Sequence, residues 1–235
     1  MIGKESFTME EVDYNYLKSF LSGYKNIRVK INDMLKKKEI VRIKKGLYVL
    51  GEPYSKNPFY RETLSNLIYG PSYISLEYAL SFYNMIPEKS ETVTAVTNKR
   101  NKVFDTPAGR FSYRYIHPDL YIEGVSLLSL DEKHNILIAS REKAIADILY
   151  FTDRIENTAE LGSYLFENLR IEETEIIKLK KNDLKRLAKI YGGNVLLFQN
   201  QCFLFAHRAD QETYLLIKYH FAKDALSGAF CFQDV

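Results

Sequence analysis

Hydrophobic positions near the start of the chain recur at helical spacing in two successive segments. In the first, residues 12–21, aromatic and leucine side chains share one face, and Gly23 ends the pattern. In the second, residues 26–38, apolar residues follow the i, i+4, i+7, i+8 spacing of an amphipathic helix, and Asn26 can cap its first turn. The apolar positions of this second helix are Ile27, Ile31, Met34 and Leu35.

Two short apolar strands follow the second helix. Residues 40–43 and 47–50 are β-branched or apolar, and Gly46 lies in the lysine-rich turn between them, a pattern typical of a β-hairpin. Two helices joined by a short turn and followed by a hairpin are the elements of a winged helix-turn-helix. The sequence therefore predicts a winged helix-turn-helix domain over residues 1–52.

A second domain, residues 59–235, is predicted after a segment rich in glycine, proline and other turn residues at 51–58. The apolar pattern indicates helices at 59–69, 73–84, 140–151, 157–168, 172–179 and 182–191, with Ser72, Ser140 and Asn182 as caps. It indicates strands at 92–97, 109–116, 120–123, 126–130 and 136–139. The predicted fold class is α+β, a winged helix-turn-helix followed by a mixed α/β domain with a small sheet flanked by helices. The role of residues 195–235 stays open: the first apolar runs fit two strands or one buried helix, 211–222 has a helical pattern, and 227–235 shows no clear period.

Charge is distributed unevenly along the 235 residues. The net charge is +3, and residues 1–52 hold 11 lysines and arginines against 7 acids, whereas residues 53–235 hold 22 against 23. A local positive excess points to a polyanionic partner, and the absence of a basic helix with a large apolar face favours nucleic acid over a membrane surface. No apolar stretch reaches membrane-spanning length, the start does not resemble a secretion signal, and Cys202 and Cys231 have no metal spacing. We expect a cytoplasmic protein.

The basic residues of the first domain are the candidate DNA-binding residues. The second helix of such a domain enters the major groove, so we assign base-edge contacts to Arg28 and Asn32. Phosphate contacts are expected from Lys25, Lys30, Lys36, Arg42, Lys44 and Lys45, with the last two at the hairpin tip. The alternative is that these side chains form only a solvated surface.

Four segments of the chain together resemble the AbiEi antitoxin family of type IV toxin-antitoxin systems. They are YKNIRVKINDMLKKKEIVRIKKGLYVL at 24–50, YISLEYALSFYNMIPE at 73–88, VTNKRNKVFDTPAGRFSYRYI at 96–116 and REKAIADILY at 141–150. The resemblance covers most of residues 7–195. It implies an N-terminal domain that binds DNA and represses its own operon, and a C-terminal domain that counteracts a nucleotidyltransferase toxin without the need for a stable complex. These are functions of phage defence.

A second group of basic residues lies in the predicted C-terminal domain. Its members are Lys99, Arg100, Lys102, Arg110 and Arg114. The first three are predicted in a loop, whereas the alternation of the arginines with residues 112 and 116 places both on one strand face. The group is either an antitoxin surface for nucleic acid or an acidic partner, or a solvated loop and strand face.

No catalytic residue, metal or cofactor is predicted. Asp105 or Asp119, taken with Asp131-Glu132-Lys133, imitates the acid spacing of a metal-dependent nuclease, but this tripeptide is more typical of a turn. The histidines lack the spacing of a metal-binding helix. The alternatives to an antitoxin repressor are therefore a ligand-sensing or dimerising regulator without a toxin and, less favoured, a nuclease. We expect a monomer or weak dimer that binds paired half-sites in its own promoter as double-stranded DNA.

Overall fold

A computed structural model describes residues 7, 9–52 and 54–202. Its elements in chain order are β1 (Glu11–Asp13), α1 (Tyr14–Phe20), α2 (Ile27–Lys36), β2 (Ile40–Lys44), β3 (Leu47–Leu50), α3 (Arg61–Ile68), β4 (Ser72–Ile74), α4 (Leu76–Phe82), β5 (Val93–Thr97), β6 (Lys102–Thr106), β7 (Gly109–Tyr115), α5 (Pro118–Tyr121), β8 (Val125–Ser129), β9 (Asn135–Ala139), α6 (Arg141–Phe151), α7 (Thr158–Ser163), α8 (Glu173–Ile177) and α9 (Lys181–Tyr191). A π-helical turn (Tyr164–Asn168) continues α7, and a helical segment, α10, occupies 193–202. The fold class is α+β, as predicted.

The described residues up to 52 form a small unit, here called the N-terminal unit. Asp13 caps α1 by accepting the Tyr16 N–H at 2.7 Å, and Asn26 caps α2 by accepting the Val29 N–H at 3.2 Å. The hairpin β2–β3 is present, and β1 pairs with β3 to complete an antiparallel sheet of order β1-β3-β2. These elements contain the two helices and the hairpin expected from the sequence, with β1 as an unpredicted third strand.

The larger unit, residues 59–202, is built on a six-stranded sheet of order β6-β7-β5-β4-β9-β8. Its strands β4 and β9, and β5 and β7, run parallel, and the other neighbours are antiparallel. The register places Tyr73 and Arg114 in one cross-strand row, which faces α6, and Ile74 and Tyr113 in the next row, which faces α3. The sheet therefore lies between α3 on one side and α6 on the other, with α4 and α9 packed against α6.

The two units share strand β3. Tyr48 and Leu50 lie in the core of the N-terminal unit, whereas Leu47 and Val49 lie in the core of the larger unit together with Ile43. Successive side chains of a strand point to opposite faces, so one face of β3 packs in each core. The segment 51–58 was predicted as a domain boundary, but the apolar packing continues across it through the hairpin. An isolated piece ending at residue 52 would expose these side chains.

Two predicted elements of the larger unit are wrong. Residues 72–74 form β4 and not the start of a helix, so Ser72 is a buried strand residue and no cap; α4 begins only at Leu76. Residues 118–121 form the helix α5 where the prediction had a strand at 120–123; Pro118 at its first turn is a helix-start signal. Short apolar runs fit either structure, and their tertiary partners decide between them: β4 pairs with β5 and β9, and α5 packs against α9.

The loop predicted for Lys99, Arg100 and Lys102 is confirmed for the first two, whereas Lys102 is the first residue of a strand that was not predicted. Residues 102–106 form the edge strand β6, which pairs with β7 in register Asp105↔Arg110. A smaller difference concerns the start of α9: its N-cap residue is Lys180 and not Asn182. The helix 140–151 agrees with the prediction, and the Ser140 hydroxyl accepts the Lys143 N–H at 3.2 Å.

The last described segment is helical. Val195, Phe198 and Cys202 of α10 are buried in the core of the larger unit, so the helical alternative holds for the first run, while residues 203–206 of the second run lie outside the described residues. Burial raises the pKa of the Cys202 thiol to about 12. The predicted helix at 211–222 and Cys231 lie outside the described residues. Among the helices of the described part, none has the length and apolar content to cross a membrane.

Candidate nucleic-acid interface

Four of the predicted DNA-binding residues line one groove of the N-terminal unit. Arg28 and Asn32 are four residues apart on α2 and therefore share a face, while Arg42 and Lys45 come from the hairpin opposite. The groove has a volume of about 850 Å³, and Tyr14, Ile31, Gly46 and Tyr48 complete its walls. We call this surface the basic groove.

A second concavity flanks α2 on its other side. Lys25, Lys30 and Lys36 line it, and Asn32 lines both concavities. Its volume is about 640 Å³. Seven of the eight predicted residues therefore surround the exposed side of α2, and Lys44 is the exception.

Most basic side chains of this surface are not in an ion pair. Within the described residues, Lys25, Arg28, Lys36, Arg42 and Lys45 form no ion pair. Lys30 lies 3.7 Å from Asp33, and Lys37 lies 3.0 Å from the same carboxylate. Its hydrogen bond with Lys37 holds the pKa of Asp33 below its usual value. The uncompensated cations give the surface a positive potential that favours an anionic ligand.

Lys44 is held away from the hairpin tip. Its ammonium donates to the main-chain carbonyl of Leu67 at 3.1 Å and also to that of Ile68, at the C-terminal end of α3. A cation at that end of a helix satisfies free carbonyl groups and the helix dipole. Burial lowers the pKa of Lys44, and nearby Lys102 and Lys99 lower it further. The side chain predicted as a free phosphate contact thus fastens the hairpin to the larger unit.

The second basic group divides in two. Lys99 and Lys102 each lie 5.6 Å from the ring centre of Tyr69, and the Lys99 ammonium donates to the Gly70 carbonyl at 2.6 Å. With Lys44 they form what we call the lysine cluster. Arg100 lines a shallow depression with Lys99 beside this cluster.

The two arginines of the second group lie on β7, apart from the lysine cluster. Both are exposed while Phe111 and Tyr113 between them are buried, which agrees with the predicted strand face. Arg110 lies 3.8 Å from Asp105, and the Arg114 guanidinium lies 4.0 Å from the ring centre of Phe151. The five residues predicted as one patch therefore do not form a single surface.

The tripeptide considered for a nuclease is a turn between β8 and β9. Asp131 accepts the N–H groups of Lys133 and His134, each at 2.8 Å. The Lys133 N–H is the largest cause of the fall in the Asp131 pKa to about 2. Asp131 therefore caps a turn. This is the simpler of the two interpretations of the tripeptide, a turn or a nuclease motif.

Sequence reasoning missed a buried ionic network on the sheet side of α6. Lys143 and Asp147 have fully buried side chains 3.1 Å apart. Tyr73 and Ser75 donate their hydroxyl groups to Asp147 at 3.0 and 2.7 Å, and Tyr191 also donates to it. The spacing of four residues was visible in the sequence, but the burial was not, because charged residues on a helix are usually solvated.

Comparisons with known proteins assign no family. Neither protein-family models nor curated proteins match the chain. Among solved structures, JHP933 from Helicobacter pylori matches with a TM-score of 0.31 and 13% sequence identity, covering 68% of this chain and 94% of that one. Such a low TM-score supports no functional argument, so any function must be inferred from the residues of this chain.

Proposed function

We propose that the protein is a transcriptional autorepressor that binds double-stranded DNA through its N-terminal unit, and the antitoxin of a type IV system that counteracts a nucleotidyltransferase toxin. The single observation that supports DNA binding is the basic groove. In it, side chains suited to base edges and side chains suited to phosphates occur together on α2 and the hairpin.

In this proposal α2 is the recognition helix of a winged helix-turn-helix. A major groove about 12 Å wide admits a helix, and Arg28 and Asn32 on its exposed face reach the base edges. Arg is suited to guanine and Asn to adenine, because each can form two hydrogen bonds with that base. Lys25, Lys30 and Lys36 contact the backbone on one side of the helix.

The hairpin contacts the backbone on the other side. Arg42 and Lys45 line the same groove as the recognition residues, so they are placed to bind phosphates next to the bases that are contacted. One N-terminal unit contacts few base pairs, so two protomers on paired half-sites are part of the proposal.

Substitutions in the groove separate the two kinds of contact. We expect Arg28→Ala to weaken operator binding by about 1–3 kcal/mol and to reduce the preference for the operator over random DNA. Lys45→Ala should weaken binding to both DNAs alike. Fluorescence anisotropy with both fragments measures the two affinities.

The matched control is Lys189→Ala. It removes the same charge from an exposed position on α9, away from the groove, and should change neither affinity. Full-length protein is required because the hairpin shares its core with the larger unit. Equal binding of operator and random DNA by the unaltered protein would contradict the repressor proposal.

The antitoxin part is supported by the resemblance and by where its segments lie. Residues 73–88 contain β4 and α4, 96–116 contain the β6–β7 hairpin, and 141–150 lie in α6. Ser75 of the first segment donates to Asp147 of the last, so the resembling segments meet in the larger unit. That unit is therefore the part to which we assign toxin neutralisation.

Co-expression tests this assignment. We expect the chain to restore growth to cells that express a nucleotidyltransferase encoded next to its gene, and Arg28→Ala to restore growth equally while losing repression of a promoter reporter. Such a result separates the two activities within one folded protein. Growth arrest that persists at matched expression levels would contradict the antitoxin role and favour a regulator without a toxin.

A further inference from the structure

A cluster of buried ionisable side chains lies where the N-terminal unit meets the larger unit. Glu10 and Glu11 belong to the chain entering and starting β1, and His134 lies in the turn between β8 and β9. Their side chains are 8%, 0% and 3% exposed. We call these three residues the junction cluster. It belongs neither to the basic groove nor to the lysine cluster.

Each glutamate has one oxygen fixed and the other directed at the histidine. Glu10 Oε1 accepts from the Asn57 amide at 3.3 Å, and Glu11 Oε1 accepts the Tyr60 N–H at 2.9 Å. Glu10 Oε2 and Glu11 Oε2 then lie 3.6 and 3.0 Å from His134 Nε2. The donors that hold the outer oxygens orient both carboxylates toward the same point.

The other ring nitrogen determines the form of the imidazole. His134 Nδ1 lies 2.8 and 2.9 Å from the two oxygens of Asp131, a carboxylate that can only accept. Nδ1 therefore carries a proton and donates. Nε2 is then the ring atom that faces Glu10 Oε2 and Glu11 Oε2, and the positive charge that balances these carboxylates is either a proton on Nε2 or a cation bound among the three atoms.

We propose that the junction cluster is a site for a divalent transition-metal ion of the zinc class, with Glu10 Oε2, Glu11 Oε2 and His134 Nε2 as ligands. Carboxylate and imidazole are ordinary zinc ligands, at about 2.0–2.2 Å. Two ligands of a tetrahedral ion at such distances are roughly 3.4 Å apart. The separations of 3.0 and 3.6 Å between His134 Nε2 and the two carboxylate oxygens lie on either side of that value.

Two further features agree with a metal site. A histidine that binds metal through one nitrogen commonly donates its other N–H to a carboxylate, the part that Asp131 plays here. Burial of two carboxylates is costly without compensating charge, and a divalent ion supplies it. Water would occupy the remaining coordination position.

Such an ion would join parts of the chain that are far apart in sequence. Glu11 and His134 are 123 residues apart, one in each unit. Because a site assembled only in the folded chain binds metal at the expense of the unfolded state, occupation would stabilise the docking of the N-terminal unit. The orientation of the N-terminal unit, and of its basic groove, relative to the larger unit would then depend on the metal.

Titration of full-length, untagged protein with Zn²⁺ after dialysis against a chelator tests the proposal. We expect one ion per chain by elemental analysis and a rise in melting temperature on addition of Zn²⁺. With Co²⁺ in place of Zn²⁺, we expect the visible absorption bands of a Co²⁺ ion with a low coordination number. Glu11→Gln should weaken Zn²⁺ binding more than a hundredfold, and its amide can donate to His134 Nε2 so that the fold is retained. Asp131→Asn should weaken binding about 10- to 100-fold, because Asp131 positions the histidine.

The matched control is His117→Gln. His117 also lies beside an aspartate, Asp119 at 3.4 Å, but both are exposed, and binding should be unchanged. Absence of Zn²⁺ binding by the unaltered protein, or full binding by a folded Glu11→Gln protein, would overturn the proposal. If circular dichroism shows that the Glu11→Gln protein is unfolded, Asp131→Asn becomes the test. An unchanged Zn²⁺ affinity of the Asp131→Asn protein would then overturn the proposal.

Discussion

Asp147→Asn is expected to lower the free energy of unfolding by about 3–5 kcal/mol, because it leaves a buried ammonium without its counter-charge. Lys143 and Asp147 are both fully buried, and burial already lowers the pKa of Lys143. Without the carboxylate, the ammonium retains as partners the Leu120 carbonyl and the Tyr191 hydroxyl. Urea denaturation followed by circular dichroism measures the loss.

An exposed pair provides the control for this substitution. Asp183 lies 2.6 Å from Arg186 on α9, with side chains 29% and 64% exposed, so Asp183→Asn should cost less than about 1 kcal/mol. The double change Lys143→Met with Asp147→Leu removes both buried charges but leaves the Tyr73 and Ser75 hydroxyls without their acceptor, so it should recover only part of the lost stability. Equal losses for Asp147→Asn and Asp183→Asn would show that the buried pair has no special weight.

Operator affinity is expected to fall by roughly five-hundredfold to two-thousandfold when salt rises from about 50 to about 200 mM. Each neutralised phosphate contributes about 0.9 to the slope of log affinity against log salt. Five contacts, from Lys25, Lys30, Lys36, Arg42 and Lys45, correspond to the lower figure, and a sixth from Lys44 to the higher. Anisotropy titrations at several salt concentrations measure the slope.

Substitution of Lys44 shows whether five or six phosphates are contacted. If its ammonium stays on the carbonyls of α3, Lys44→Ala leaves the salt slope unchanged and lowers stability. Lys45→Ala should reduce the slope by about 1, and the α9 control Lys189→Ala should not alter it. An affinity independent of salt would contradict binding through this surface.

Local sequence predicted the elements with a strong period or a clear cap. The apolar stripe of α2, with Asn26 before it, and the Ser140 cap of α6 are present as expected. The predictions for the short segments that form β4 and α5 were wrong, because three or four apolar residues fit a helix or a strand equally well. Their conformation follows from partners in the fold, such as the pairing of Tyr73 with Val96.

The same division applies to the candidate sites. The basic groove could be anticipated, since Arg28 and Asn32 are neighbours on one helix and the hairpin follows directly in the chain. The contact of Lys44 with α3 could not, because the helix end that accepts it lies 23 residues further along. A pattern of charges shows which residues reach the surface but not which carbonyl groups are close by.

The sequence by itself determined the polarity of each helix face and the concentration of positive charge in the first 52 residues, because both depend on neighbours within a few positions. Only the tertiary structure decided that β3 serves two cores, that Lys143 and Asp147 are buried, and that two glutamates meet a distant histidine. Those features depend on which surfaces pack together, and local periodicity carries no information about the partner of a buried face.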